Sequence, residues 1–386
     1  MPAPRSHRPR GATSMPLALG TAFALGCAAP PGCGAPAGPV GLTVEETTAL
    51  VRPDTKERDA WGAAVHAALG AAGQPIDAQH ACMVLAVIEQ ESGYEADPVV
   101  PGLGAAARRA LDSAARERLG RFGPDIVARV LEETPAGGAA SFGARLDAVR
   151  TERALDRLFR EMVEHFAGKA PGLSRAVRVL FPAIEERINP VRTAGSMQVA
   201  VDWVQAHPDA GGMAPEALRE ALYTVDGGVL WGTRRLFAHG GDEIAPLHRF
   251  ADYNAGLWAS RNAAFQEALA GLSGVRLALD GDLLGWTARG TPARGPSETE
   301  RALVAWAAKG APALGPRQIR DDLEAEKSAD FAETATWAAV WAAAPGAPRA
   351  RVPVLALESP KMKSGRTTEW FAKKVEKRLG DCLRRG

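Results

Sequence analysis

The stretch that decides the fold is residues 78–94, AQHACMVLAVIEQESGY, because its apolar residues recur at the three- and four-residue steps of an α-helix. We expect a helix over Ala78–Ser92 with Glu91 near its C-terminal end. Ile88 and Val87 lie three and four residues before Glu91, so they share its face of the helix. An acid on the apolar side of a helix costs free energy unless a site uses it. The alternative is an acid at the helix end that turns to the solvent.

The same periodicity continues along the chain and predicts a mainly α protein. Glycine and proline residues separate the successive helical segments. Only Val275–Leu283 and Arg351–Leu357 have the pattern of short strands, so we expect a small α+β region at the C-terminal end. The other predicted helices are Asp59–Leu69, Ala105–Leu119, Pro124–Glu133, Ala144–Phe166, Ser174–Arg187, Ser196–Gln205, Pro215–Leu222, Leu230–His239, Ile244–Tyr253, Asn262–Leu272, Glu298–Lys309, Phe331–Ala343 and Thr367–Leu383.

Composition excludes several classes of function. The 386-residue chain has a formal net charge of +1, which gives no reason to expect nucleic-acid binding. No segment is long and apolar enough for a membrane-spanning helix of the mature chain. The four cysteines form no Cys-x-x-Cys pair and no cluster with histidine, so a structural zinc site is not expected. No other metal and no cofactor is expected either. Cys82 and Cys382 can form a bridge in an oxidising compartment, but we favour buried free thiols.

The N-terminal end has the pattern of an export signal. Arg5, Arg8 and Arg10 precede an apolar stretch over Met15–Gly26, which Cys27 follows. The residues before Cys27, Ala-Leu-Gly, resemble a bacterial lipobox, although that motif usually has its leucine one position earlier. The resemblance implies lipid attachment to Cys27, and with it a periplasmic protein anchored to the outer membrane. A plain cleaved signal and an Ala/Pro-rich tail are the alternatives.

Three short motifs follow one another: Glu-Ser-Gly-Tyr at 91–94, Gly-Ser-Met-Gln at 195–198 and Tyr-Asn-Ala-Gly at 253–256. We expect the first at the end of a helix, the second at the start of one, and the third at the end of another. In order and type they resemble the marks of the lytic transglycosylase family, which implies a lysozyme-like fold of the goose type. Each motif alone is weak evidence, whereas all three in family order after an export signal are more specific.

The domain organisation departs from that family in one respect. In the family the first two motifs lie close together, but here about ninety extra residues, 99–188, separate them. Because this segment is itself predicted to be helical, we interpret it as an inserted helical subdomain. The expected order is a signal peptide over 1–26, a Pro/Gly/Ala-rich tether over 27–42, the lysozyme-like domain with its insertion over 43–274, and a C-terminal region of unassigned role over 275–386.

The resemblance implies that Glu91 is the catalytic acid and that other motif residues surround it. Ser92 and Tyr253 would support the acid, and the residues expected to contact the sugar are Gly195, Met197, Gln198 and Asn254.

Several of these assignments have a structural alternative. The Ser92 hydroxyl can instead satisfy a backbone carbonyl of its own helix, and Gly195 can serve turn geometry alone. Met197 can be a core residue, Gln198 an early-helix residue, and Tyr253 a half-buried anchor of its turn.

Cleavage of a sugar–sugar bond requires a proton for the leaving oxygen while positive charge grows on the ring. In the family one glutamate donates that proton and then takes one from the 6-hydroxyl of the same muramic sugar, which leaves a 1,6-anhydro end. The resemblance therefore implies cleavage of the MurNAc–GlcNAc β-1,4 bond of peptidoglycan strands, with Glu91 as the single general acid and base.

Two other functions stay open. A lysozyme-type hydrolase needs a second group to activate water, and Asp97 and Asp252 are the candidates by position. A catalytically inactive, peptidoglycan-binding lipoprotein scaffold is the alternative outside enzymes. The presence of Glu91 argues against the scaffold, because a binding protein has no reason to keep a poorly solvated acid.

Overall fold

The computed structural model describes residues 41–135, 137–168, 189, 191–240, 244–287, 291–310, 314–356 and 365–386. The expected signal peptide over 1–26, Cys27, most of the expected tether and the predicted helix Ser174–Arg187 lie outside these residues.

Helices account for most of the described chain, which confirms the prediction of a mainly α protein. No helix in this part of the chain is both long and apolar enough to cross a bilayer. One short hairpin consists of β1 (Thr193–Ala194) and β2 (Val199–Ala200). The helices are α1 (Val44–Leu50), α2 (Arg58–Ala71), α3 (Ala78–Glu91), α4 (Leu103–Leu119), α5 (Gly123–Glu132), α6 (Phe142–Ala148), α7 (Glu152–Gly168), α8 (Val201–Ala206), α9 (Pro215–Leu222), α10 (Val225–Leu236), α11 (Pro246–Ala255), α12 (Ala259–Ser273), α13 (Glu298–Ala307), α14 (Pro316–Leu323), α15 (Ala335–Ala343) and α16 (Thr368–Leu383).

The long helix predicted over Ala144–Phe166 is two helices, α6 and α7. The chain between them is extended, because Val100 N–H donates to Arg150 O at 2.8 Å and Val99 forms an isolated bridge with Thr151. The start of the insertion is therefore tied to the segment before α7.

The two predicted C-terminal strands are wrong in the described residues. The chain over 275–283 forms no strand, and 351–356 contributes only an isolated bridge between Ala356 and Thr367. Pro353 explains the second case, since it has no N–H to donate to a ladder. Where the structure describes it, the C-terminal region is therefore helical with extended connections, and not α+β.

The apolar side chains form two clusters. The larger one combines side chains of α1–α11 and α16, so the insertion shares one core with the helices that carry the motifs. The smaller one combines α12–α15. Helix α16 packs against α3 and α11.

The predicted boundary at 274/275 lies inside one compact unit of the structure. Gly41–Gly386 form this unit. The folded unit also begins before the predicted end of the tether, since Leu42 N–H donates to Ile76 O at 2.7 Å.

Cys82 and Cys382 form a disulfide, and our preference for free thiols is wrong. Their Cα atoms are 5.5 Å apart and both residues are fully buried. The bridge joins α3, near its middle, to the end of α16. The sequence contains both cysteines but does not show that α16 returns to α3.

Glu326 is a buried acid in the smaller cluster. Its carboxylate accepts hydrogen bonds from the backbone N–H groups of Leu283 and Leu284 and from Trp286 Nε1. Burial raises the pKa of Glu326 to about 7, although these donors act in the opposite direction.

We expect Glu326 to make the protein less stable as the pH rises from 4.5 towards 7. Because its folded-state pKa is raised, the carboxyl keeps its proton in the folded protein over this window while the unfolded chain loses it, so stability is present below 4.5 and is lost towards 7. A shift from 4.5 to about 7 corresponds to roughly 3 kcal/mol. Urea unfolding between pH 4 and pH 8 measures the loss. Glu326→Gln cannot titrate, so an equal pH slope in the two proteins would contradict the assignment.

Candidate active site

Helix α3 carries Glu91 at its last position. The N–H groups of Ser92 and Gly93 donate to Ile88 O at 3.0 and 3.1 Å. Gly93 has a left-handed φ of 64°, which ends the helix there. Glu91 is half-buried, whereas Ile88 is fully buried. The Ser92 hydroxyl donates to Ile88 O at 3.1 Å, so the structure shows the local alternative for this residue.

The second motif forms the turn of a β-hairpin, and the prediction that it opens a helix is wrong. Strands β1 and β2 pair antiparallel, with Thr193 opposite Ala200 and Ala194 opposite Val199. Residues 195–198 connect them, and the helix begins only after the hairpin, as α8.

Gly195 is required by this turn. Its φ is 79°, a left-handed conformation that favours glycine. A Cβ at this position would lie 2.0 Å from Leu222 O at the end of α9. Gly195 therefore allows the hairpin to approach α9, which is the turn-geometry alternative for this residue.

Met197 is a core residue, and it is not among the residues that line the cleft described below. Its side chain is fully buried. A methyl group on Gly232 would lie 2.1 Å from Met197 Sδ, so this side chain packs directly against α10.

Gln198 lines the cleft and its side chain is held on three sides. Its Nε2 donates to Glu152 Oε2 at 2.9 Å and to Gly195 O at 3.2 Å, and its Oε1 accepts from the Thr193 hydroxyl at 3.0 Å. Its backbone has a φ of 52°, which is unfavourable for a residue with a side chain. Such conformations cluster at functional sites, where the surroundings hold them.

The third motif lies at the end of α11. The Tyr253 hydroxyl donates to Met197 O at 2.6 Å, which joins this motif to the hairpin turn. Burial raises the pKa of Tyr253 well above its usual value, and the negative charge of Glu91 raises it further. Tyr253 therefore lies near Glu91, but the Tyr253 hydroxyl donates its hydrogen bond to Met197 O and not to Glu91. Asn254 Oδ1 accepts from the Thr368 hydroxyl at 3.1 Å, and its Nδ2 has no hydrogen-bond partner among the described residues.

One cleft brings the motifs together. A cavity of about 730 Å³ is lined by Glu91, Gln198 and Asn254, one residue from each motif. Its other walls come from the segment before α4, from α4 and α7 of the insertion, and from Phe371 on α16. The insertion and the last helix thus build the cleft together with the motifs. The charged side chains that line it besides Glu91 are Arg109, Glu152, Arg192 and Arg366.

Glu152 is a second carboxylate of the cleft that the sequence did not reveal. It is the first residue of α7 and is 6% exposed. The two acids considered from the sequence do not line the cleft: Asp97 accepts from Arg153 N–H at 3.3 Å, and buried Asp252 lies 2.8 Å from His239 Nε2. Within the described residues no three His, Cys, Asp or Glu side chains are grouped to hold a metal ion. No motif marks Glu152, because only the fold of the insertion brings it to the cleft.

Comparisons with known proteins identify the family. The family model described as "Protein of unknown function (DUF1615)" matches residues 54–385, a range that includes the three motifs, the insertion and α16. The chain is 35% identical over 335 residues to "Uncharacterized protein YaiW" of Escherichia coli (strain K12), which covers 85% of this chain and 86% of that protein. No solved structure matches it. The chain belongs to the DUF1615 family.

Proposed function

We propose that this protein is a peptidoglycan lytic transglycosylase with a lysozyme-like catalytic domain, in which Glu91 is the single general acid and base. The observation that carries the proposal is that Glu91, Gln198 and Asn254, one residue from each motif, line the same cleft. The volume of about 730 Å³ suits a small ligand such as a few sugar units. The bond from Tyr253 to Met197 O adds support, because it fixes the third motif on the second beside the acid.

The chemistry needs only one carboxyl group from the protein. Glu91 donates its proton to the glycosidic oxygen as the bond from that oxygen to C1 of the muramic sugar breaks. The resulting carboxylate then takes the proton of the 6-hydroxyl while that oxygen bonds to C1, which closes the 1,6-anhydro ring. Asn254 and Gln198 would bind the acetamido and hydroxyl groups of the sugars. Tyr253 would fix the hairpin turn beside Glu91 through its hydrogen bond to Met197 O.

The proposal includes the location of the protein. We infer export to the periplasm and anchoring to the outer membrane through a lipid on Cys27. The Cys82–Cys382 bridge supports export, because disulfides persist in oxidising compartments and are rare in the cytosol.

A lysozyme-type hydrolase is the second candidate, and Glu152 favours it. Hydrolysis needs a group that activates water or stabilises the ring, and a second carboxylate in the same cleft has the required chemistry. The hydrogen bond from Gln198 Nε2 to Glu152 supports the other assignment, in which Glu152 holds Gln198 in place.

We expect a digest of purified peptidoglycan by the chain from Ala28 onward to give 1,6-anhydro-muramic ends, read by mass spectrometry. Glu152→Gln should give the same ends, because the substrate's own 6-hydroxyl replaces water. Its rate should fall by about ten-fold or less, since Gln198 Nε2 would then donate to a neutral amide oxygen and not to a charged carboxylate. Glu164→Gln is the control, because Glu164 is an exposed acid on the same helix.

The other outcomes separate the candidates. Reducing ends that disappear in Glu152→Gln would make the protein a hydrolase. No soluble product, with the protein still sedimenting with the sacculi, would make it a peptidoglycan-binding scaffold and would contradict both enzyme assignments.

A further inference from the structure

Two arginines line the cleft without a carboxylate partner among the described residues. Arg366 is half-buried, and its Cζ lies 4.2 Å from the centroid of the Trp370 ring. Arg109 extends from α4 and is exposed. Most other buried or half-buried arginines near this site are paired with acids; Arg219, for example, lies 2.6 Å from Asp156.

The contact with Trp370 leaves the hydrogen-bonding groups of Arg366 available. A guanidinium above an aromatic ring uses its flat face, while its N–H donors lie in the plane of the group and form the fork that binds a carboxylate through two bonds. The ring therefore holds Arg366 at the cleft without occupying its donors.

The charge of the cleft gives a reason for these arginines. Glu91 and Glu152 both contribute carboxyl groups to the same cleft. A ligand carboxylate would be repelled by ionised Glu152, and by Glu91 once it has given up its proton, unless cations lay nearby. A neutral glycan would need no such cations.

We propose that Arg366 and Arg109 form a carboxylate-binding subsite, so that the cleft selects an acidic glycan over a neutral polymer of N-acetylglucosamine. This inference rests on the proposed function, since it specifies the substrate of the same cleft. The carboxylate has two possible sources in peptidoglycan: the lactyl group of a muramic sugar without peptide, or the stem peptide. The lactyl carboxyl is free only after its amide bond to the peptide is hydrolysed, so the first source would place amide hydrolysis before this reaction.

Binding to defined oligosaccharides tests the subsite, with the full chain carrying Glu91→Gln so that ligands are not cut. The probes are a peptide-free GlcNAc–MurNAc tetrasaccharide and the same compound with its lactyl carboxyls converted to methylamides. A second pair is the peptide-bearing tetrasaccharide with free or amidated peptide carboxyls. We expect one acid form to bind about ten-fold more tightly than its amide, as a charge-assisted hydrogen bond predicts.

Arg366→Gln and Arg109→Gln should each reduce this preference, and Arg366→Lys should restore it only in part. The matched controls keep it: Arg349→Gln removes an arginine that stacks on Trp341 at the same 4.2 Å outside the cleft, and Arg116→Gln removes an exposed arginine seven residues after Arg109 on α4. If Arg366→Gln fails to fold, the preference of the unsubstituted cleft should still fall with added salt.

The pair of probes that shows the preference identifies the source of the carboxylate. No preference in either pair, or an equal preference in the cleft variants and the controls, would overturn the subsite. Failure of the proposed function is a different result: the protein with Glu91 unchanged would release no cleaved product from peptidoglycan.

Discussion

Replacing Cys82 and Cys382 together by alanine is expected to lower the free energy of unfolding by about 4–5 kcal/mol. The bridge joins residues 300 apart in sequence, so it closes almost the whole folded chain into one loop. Without it the unfolded chain gains conformational entropy, for which the chain-entropy model gives roughly 5–6 kcal/mol at this loop length, while measured losses are about 2–5 kcal/mol. Both side chains are fully buried, so the two lost sulfur atoms also remove packing.

Guanidinium unfolding of the two proteins, with and without dithiothreitol, measures this loss. In the oxidised samples the variant should unfold at the lower denaturant concentration. With dithiothreitol the unsubstituted protein should lose most of its advantage, because its bridge is reduced as it unfolds. Equal stabilities in the absence of the reductant would contradict the assignment of the bridge.

The helices could be predicted from the sequence because their apolar residues repeat at the helical period. Pro215–Leu222 begins and ends where the sequence predicts, and α3 ends one residue before the predicted Ser92. The predicted helix Ala144–Phe166 was wrong because a short extended segment divides it. The break between α6 and α7 has only three residues, too few for a pattern to interrupt the helical period around it.

The hairpin of the second motif could not be recognised for a related reason. Each of its strands has two residues, so no alternation exists to detect. Gly195 and Ser196 are also compatible with the start of a helix. What decides the turn is the approach of Gly195 to Leu222 O, a contact between segments distant in sequence.

Three residues of the cleft, one from each motif, could be named from the sequence, and the charged residues of its other walls could not. Glu91, Gln198 and Asn254 could be named because a resemblance marks them. Glu152, Arg109 and Arg366 carry no local signal, because an isolated charged residue is normally solvated. They became candidates only when the fold brought the insertion and the chain before α16 to the same cavity.

Glu91→Gln is expected to lower the rate of glycan cleavage by about 10³-fold, or roughly 4 kcal/mol of transition-state stabilisation. The amide has nearly the same shape as the acid, so the fold and the cleft should be kept. It has no proton to give to the leaving oxygen and cannot take one from the 6-hydroxyl. The substitution therefore removes both proton donation to the leaving oxygen and proton removal from the 6-hydroxyl.

Glu89→Gln is the matched control, since Glu89 lies on the same helix but is not among the residues that line the cleft. Its Oε1 is 3.5 Å from Arg378 Nε, an ion pair that joins α3 to α16, and 3.5 Å from Arg52 Nη1 in the segment between α1 and α2. Its loss should cost up to about 1 kcal/mol of stability and change the rate by only a few-fold. Release of soluble fragments from sacculi, measured beside the melting temperature, compares the two variants. Retention of the rate in Glu91→Gln would remove this residue as the acid, and Glu152 would then be the carboxylate to test, because it lies in the same cleft.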